Sequence, residues 1–119
     1  MIKQIGNNII QPAAHVDRDG ELIVGPNSVV SHEAWIETHT HDFNSDNWAK
    51  KDFPHKLIIE GQVYVGARAM ILGGRKHIAE GVLIGAGAVV AKNIDEPYTK
   101  WAGFPARKIG LRKKVNLQL

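Results

Sequence analysis

From Ile59 onward the apolar positions return every sixth residue, at Ile59, Val65 and Ile71 and again at Ile78, Ile84 and Val90, with only the step from Ile71 to Ile78 one residue too long. Each unit opens on an aliphatic residue, usually followed by Gly or Ala, and carries Val or Ala at its fifth position, as in Ile59-Glu-Gly-Gln-Val-Tyr and Ile84-Gly-Ala-Gly-Ala-Val. The same spacing occurs upstream at Val24, Val30 and Ile36. A strand alternates its faces with period two, so the first and fifth residues of a unit point the same way while the residues between turn the chain. Gly61, Gly81, Gly87 and Asn27 fall at those turns, where a left-handed backbone is needed and Gly or Asn supplies it. Three units close one triangular coil. Stacked coils then bring Val24, Val30, Ile36, Ile59, Val65, Ile71, Ile78, Ile84 and Val90 into one narrow core. The pattern predicts an all-β solenoid of about four coils, because the strands of a sandwich or barrel come at uneven, longer spacing.

The organisation follows from where the count fails. Ile10 and Val16 keep the six-residue step and Val24 follows after eight, so residues 1–23 read as a degenerate first coil with a short bulge. Between Ile36 and Ile59 the chain makes an excursion, residues 42–56, polar but furnished with Phe43, Trp48 and Phe53. Loops this long inside a compact repeat are uncommon and tend to be functional. In Ile71-Leu-Gly-Gly-Arg-Lys-His-Ile78 the extra residue should push Arg75, Lys76 and His77 outward. Beyond Val90 the repeat decays, and Pro97, which has no backbone donor, is expected to end regular pairing, leaving residues 96–119 as a C-terminal extension in which Gly103-Phe104-Pro105 redirects the chain.

The residues able to carry chemistry cluster where the excursion departs, in Thr38-His39-Thr40-His41-Asp42. Two histidines two residues apart point the same way on a strand, which suits a metal site, a base with a neighbour, or a passive pair. A third ligand at matching spacing is not evident. Asp42 is a candidate to orient an imidazole.

The repeat array, together with Ile84-Gly-Ala-Gly-Ala-Val-Val-Ala-Lys-Asn-Ile and Ala102-Gly-Phe-Pro-Ala-Arg-Lys-Ile, resembles the hexapeptide-repeat acyltransferases, and among them the galactoside and maltose O-acetyltransferase type, over most of residues 5 to 110. The resemblance implies a left-handed parallel β-helix, an exception to the right-handed crossover rule. It implies a homotrimer, acetyl-coenzyme A as acyl donor, and a sugar or sugar-nucleotide acceptor acetylated on a hydroxyl or an amine. The catalytic histidine of that type falls five residues after the third aliphatic of the coil before the loop, which is His41, with His39 as substitute base or acceptor contact. Its cofactor contacts carry over to Tyr64, Ala67, Ala86, Ala91, Lys92 and Arg107. Ala67 and Ala91 replace hydroxyl residues, so backbone contacts are expected there. Carbonic anhydrases on the same solenoid use three histidines from adjacent coils, a motif this sequence does not show, so no metal is expected. A trimeric scaffold without turnover is the rival reading.

Composition adjusts this picture in two places. The formal charge of +3 arises from the end of the chain: from Arg107 onward there are Arg107, Lys108, Arg112, Lys113 and Lys114 and no acid. That tail suits a solvated end, a nucleic-acid contact or a clamp for an anionic cofactor, and the resemblance favours the clamp, so no nucleic-acid partner is expected. The 119 residues contain no cysteine, signal-peptide core or membrane-length apolar run, so the expected location is the cytoplasm. A core this thin also favours self-association.

Overall fold

The computed structural model describes residues 1–48, 55–74 and 76–113. Fourteen short strands form among them, and no helix. The strands fall into three sheets, each fed once per coil. The first coil comprises β1 (Ile2–Gln4), β2 (Ile9–Ile10) and β3 (His15–Val16), and the second β4 (Glu21–Val24), β5 (Val29–Val30) and β6 (Trp35–Ile36). The third has β7 (Lys56–Ile59), β8 (Tyr64–Val65) and β9 (Met70–Ile71), and the fourth β10 (Lys76–Ile78), β11 (Leu83–Ile84) and β12 (Val89–Val90). One sheet runs β1-β4-β7-β10, a second contains β2, β5, β8 and β11, and a third runs β3-β6-β9-β12, all paired in parallel. The chain is a parallel β-helix of four full coils.

Register follows the hydrophobic count. Val24 pairs with Ile59 and Ile59 with Ile78; Val30 with Val65 and Val65 with Ile84; Ile36 with Ile71 and Ile71 with Val90. All nine are buried, as are the fifth-position residues Val63, Ala69, Val82 and Ala88. Ser28, the polar occupant of that position, is buried too, and its hydroxyl donates to the Glu60 carbonyl at 2.7 Å while accepting from the Val63 amide at 3.1 Å. The first coil stacks on the second, with Ile10 paired to Val30 and Val16 to Ile36, and Glu21 already opens the second.

Three expectations need correction. The positive φ in the turn after Ile59 belongs to Gln62 at 57°, not to Gly61. Gly61 is there for closeness, since a Cβ on it would stand 3.1 Å from the Pro26 carbonyl oxygen. Lys76 and His77 do not bulge; they pair in register with Leu57 and Ile58, and the surplus residue is absorbed before them, where Gly74 takes φ 106°. Arg75 lies outside the described residues, as do Phe53 and Lys114. Regular pairing also continues past Pro97. Before it Ile94 bridges Ile78 in parallel, and beyond it β13 (Thr99–Ala102) adds to β11 in parallel and β14 (Arg107–Leu111) returns antiparallel along β13. Pro97 sits in the turn before β13, where no ladder bond is asked of its nitrogen.

Arg112 is part of this closure rather than of a free tail. Its Nη1 donates to the carbonyl oxygens of Gln62 at 3.0 Å and Gly81 at 2.8 Å, turns of two successive coils, and its guanidinium lies 5.9 Å from the centre of the Tyr98 ring.

Candidate functional site

The site lies at the edge of the prism where the third sheet turns back to the first. Ile36 ends β6 inside the core, and the chain then passes Glu37, the fully buried Thr38, His39, Thr40 and His41 before the excursion. His55 returns it, donating its amide to the Thr38 carbonyl at 2.9 Å and accepting from the Glu21 amide at 3.0 Å. The excursion therefore closes against Thr38. Where it leaves, the exposed rings of Phe43 and Trp48 face each other at 6.3 Å.

One coil earlier at the same edge stands Asp17, which follows the Val16 that pairs with Ile36. Its carboxylate accepts from the Thr38 amide at 2.7 Å, the Thr38 hydroxyl, the Asp19 amide at 3.1 Å, and His39 Nδ1 at 3.0 Å. Burial alone would push the Asp17 carboxyl up, but the hydrogen bonds from Thr38, Asp19 and His39 outweigh it and hold it below the ordinary carboxylate range. Asp19 Oδ2 is 3.2 Å from the same His39 nitrogen. Thr38 is also held through its hydroxyl, which accepts from the Gly20 amide at 2.8 Å.

One coil later the edge is formed by Leu72, Gly73 and Gly74. The Gly73 amide donates to Glu37 Oε1 at 3.1 Å, and Lys76 Nζ reaches back to the Gly73 carbonyl at 3.2 Å. Burial pushes that ammonium below its usual range. His39 is thus bracketed by a carboxylate from the coil before and a glycine turn from the coil after.

His41 stands beside it, with ring centroids 5.5 Å apart at 72°. Its Nδ1 is buried and has no hydrogen-bond partner among the described residues. Asp42 does not orient either imidazole, for its Oδ1 caps the Asn44 amide at 2.9 Å in a local turn. The acid that meets His39 is Asp17, which the sequence reading missed. Counting one twenty-residue coil back from Glu37 would have found it, had the eight-residue step after Val16 been read as a corner carrying chemistry.

The six cofactor candidates fall on two edges. Ala67 and Ala86 occupy stacked turns between the second and third sheets: the Gly87 amide donates to the Ala67 carbonyl at 2.9 Å, and a Cβ on Gly66 would stand 2.6 Å from the Ala86 nitrogen. This edge is therefore flat and small. Exposed Tyr64 lies on β8, and exposed Arg107 pairs with Ala102, whose Cβ is near Gly85 on the same edge. Ala91 and Lys92 lie on the other edge, one coil beyond Gly73, with β9 and β12 between the two groups.

No protein-family model matches the chain. It is 32% identical over 117 residues to a serine acetyltransferase of Buchnera aphidicola subsp. Schizaphis graminum, an alignment that takes in 92% of this chain and 43% of that protein, so the chain spans less than half the relative's length. A hexapeptide-repeat acetyltransferase of Vibrio cholerae, solved with acetyl coenzyme A, superposes with a TM-score of 0.85 at 19% identity, covering 95% of this chain and 61% of that one. A maltose O-acetyltransferase of Clostridium difficile gives 0.68 at 22% identity, covering 96% and 68%. AntD, an N-acyltransferase of Bacillus cereus solved with dTDP-4-amino-4,6-dideoxyglucose and coenzyme A, gives 0.70 at 20% identity, covering 95% and 78%. Repeat, register and neighbours agree on the left-handed parallel β-helix, and the chain belongs to the hexapeptide-repeat acyltransferase family.

Proposed function

We propose that the chain is an acetyl-coenzyme A-dependent O-acetyltransferase that acts on a sugar-like hydroxyl as a homotrimer in the cytoplasm, with a histidine of the His39–His41 pair as general base. The observation that carries this reading is the carboxylate-held imidazole at the lip of the excursion, on a coil edge stacked against a glycine turn. Imidazole suits the task because it takes up and returns a proton near neutral pH. The acetyl thioester supplies the activated carbonyl carbon. The imidazole takes the acceptor's hydroxyl proton as that oxygen bonds to the carbonyl carbon and the carbon–sulfur bond breaks. It then hands the proton to the departing sulfur, so that ester and free thiol leave in balance.

The chain's own residues fit such a donor. Ala67 and Ala86 offer a flat edge for an extended apolar arm, exposed Tyr64 flanks it, and the cations Lys92 and Arg107 suit phosphate. Ala91 and Lys92 are on the far side of β9 and β12 from Ala67 and Ala86, so a groove that uses both groups is most simply closed between adjacent copies. Among the described residues no helix is long and apolar enough to cross a membrane.

The resemblance of the backbone to AntD favours one second reading, transfer to an amine of an amino-sugar nucleotide. A non-catalytic trimeric scaffold is the rival from another class. Turnover of acetyl-coenzyme A against sugar hydroxyls and amino-sugar nucleotides, run with a thermal-shift titration and light scattering, tests all three. Acetyl ester, cofactor stabilisation and a trimer mass are expected. Acetamide product instead selects the second reading, and neither turnover nor cofactor stabilisation selects the scaffold.

A further inference from the structure

We propose that the corner between the first and second sheets, together with the outer face of the second, is a binding groove for a neutral oligosaccharide, on a different edge of the prism from the histidine site. In that corner one residue per coil takes the same turn position, Asn7, Asn27, Gln62 and Gly81, each two residues before Ile9, Val29, Tyr64 and Leu83 of the second sheet. The turns stack: the Asn27 amide donates to the Asn7 carbonyl, the Gln62 amide to the Pro26 carbonyl at 2.9 Å, and the Gly81 amide to the Gly61 carbonyl at 3.0 Å. Three side-chain amides therefore stand in a row, about 4.8 Å from coil to coil. Those of Asn7, Asn27 and Gln62 make no hydrogen bond among the described residues.

Turn geometry does not account for all of them. Asn27, Gln62 and Gly81 have φ of 61°, 57° and 74°. Gly and Asn suit that backbone, whereas Gln is uncommon in it. At the corner between the second and third sheets Glu33 and Arg68 take the same conformation, with φ of 59° and 60°, and spend their side chains on each other. Gln62 bears the strain and gives its side chain to no such pair. A strained residue whose side chain does nothing for the fold points to function.

Beside the amide row runs an apolar one. Ile9, Val29, Tyr64 and Leu83 pair in register from coil to coil, with Ile9 53% and Tyr64 44% exposed. The two rows line cavities of about 580 and 540 Å³ that share Asn27 and Val29, so they join into one groove along the solenoid axis.

The lining selects the ligand. A side-chain amide both donates and accepts, as sugar hydroxyls do, and the apolar row suits the C–H faces of pyranose rings. Amides repeated at the coil spacing match a ligand that itself repeats. Among the described lining residues Arg112 is the one charged side chain, and its Nη1 is spent on the Gln62 and Gly81 carbonyls, so the groove favours a neutral chain over the polyanion of a nucleic acid. An extended peptide finds no main-chain partner on this face, because β5, β8 and β11 are each hydrogen-bonded to a strand on both sides. A second copy would strip water from three amides at a cost unless it paired every one.

The test titrates the full nitrogen-15-labelled chain, without cofactor, by NMR with maltohexaose, cellohexaose and chitohexaose and with the matching disaccharides. The side-chain amides of Asn7, Asn27 and Gln62 should shift saturably with at least one hexasaccharide, and at lower concentration than with its disaccharide. Gln62→Gly and Asn27→Gly should each raise the Kd by about three- to tenfold. Glycine fits both backbones, so the unfolding midpoint should not fall and lost binding is not lost fold. Arg68→Ala, at the other corner, should bind as wild type does. No saturable shift of these amides with any of the three hexasaccharides, or an unchanged Kd in both glycine variants, overturns the groove. Shifts confined to His39, His41 and their neighbours overturn it in favour of the acceptor site alone. A mass by light scattering that Ile9→Asp lowers overturns it in favour of a second copy on this face.

Discussion

Gly73 lies so close to His39 that a Cβ added to it would overlap the His39 carbonyl oxygen and stand 2.7 Å from its carbonyl carbon. The turn after β9 and the histidine segment after β6 are therefore one packed unit, held further by the Gly73 amide on Glu37. Gly73→Ala must move one of the two backbones. Such overpacking costs about 1–3 kcal/mol, so we expect a lower unfolding midpoint by calorimetry and a fall in kcat larger than the stability loss explains. Gly87→Ala is the control, since nothing lies within 4 Å of the Cβ it would add and only its φ of 72° resists.

Stability should fall as pH rises through the range where His77 titrates. His77 bridges three levels of the solenoid, with Nε2 on Glu60 of the third coil and Nδ1 3.2 Å from Asp95 beyond the fourth, while its amide donates to Asn93 at 2.8 Å. Burial lowers the imidazole's affinity for a proton, but the bonds to Asp95 and Glu60 outweigh it and raise its pKa above the ordinary 6.5. A raised folded pKa means the contribution is fully present below 6.5 and is lost as pH passes upward through the folded value. Lys56 and Lys76 line the same surface. Thermal unfolding of wild type should decline across it, and His77→Gln should flatten the decline. Parallel curves for the two proteins would show that the bridge contributes nothing.

Arg112→Ala should destabilise the fold, whereas Lys113→Ala should not. The Arg112 guanidinium ties the Gln62 and Gly81 carbonyls, and its amide donates to the Tyr98 carbonyl at 2.7 Å, so it pins the return strand β14 to the coil turns. Hydrogen bonds to a charged group contribute about 1.5–3 kcal/mol, which sets the loss expected in urea unfolding. Lys113 is exposed and follows the last strand.

What could be read from the sequence was what repeats. Val24, Ile59 and Ile78 sit in register because a six-residue period leaves them no other place, and the seven-residue step from Ile71 changed only the turn at Gly74. Contacts made once were not legible. Asp17 reaches His39 across 22 positions through a coil whose count was irregular, and Asp42, next in sequence to His41, turned out to serve its own backbone. The extension misled for a related reason: Pro97 marks the end of hexapeptides, but β13 needs only a sheet edge to pair with, and β11 provides one.

Arg107 is the residue whose substitution tests the phosphate contact proposed above. It is exposed on β14 and pairs with Ala102, which lies against Gly85 on the edge that also carries Ala67 and Ala86. Lys108, its neighbour, is already engaged with Glu96 at 2.7 Å. A guanidinium can present two parallel N–H bonds to a phosphate, where a lysine presents a point charge. We therefore expect Arg107→Ala to weaken coenzyme A by about 1.5–3 kcal/mol in titration calorimetry, and Lys108→Ala or Lys113→Ala by much less. The loss should shrink with dephospho-coenzyme A if the 3′-phosphate is the partner. Because Arg107 reaches across no coil turn, its substitution should leave the unfolding midpoint unchanged, which separates lost affinity from lost fold. Equal affinity of wild type and Arg107→Ala would return this end of the chain to a solvated role and move the phosphate contact to Lys92.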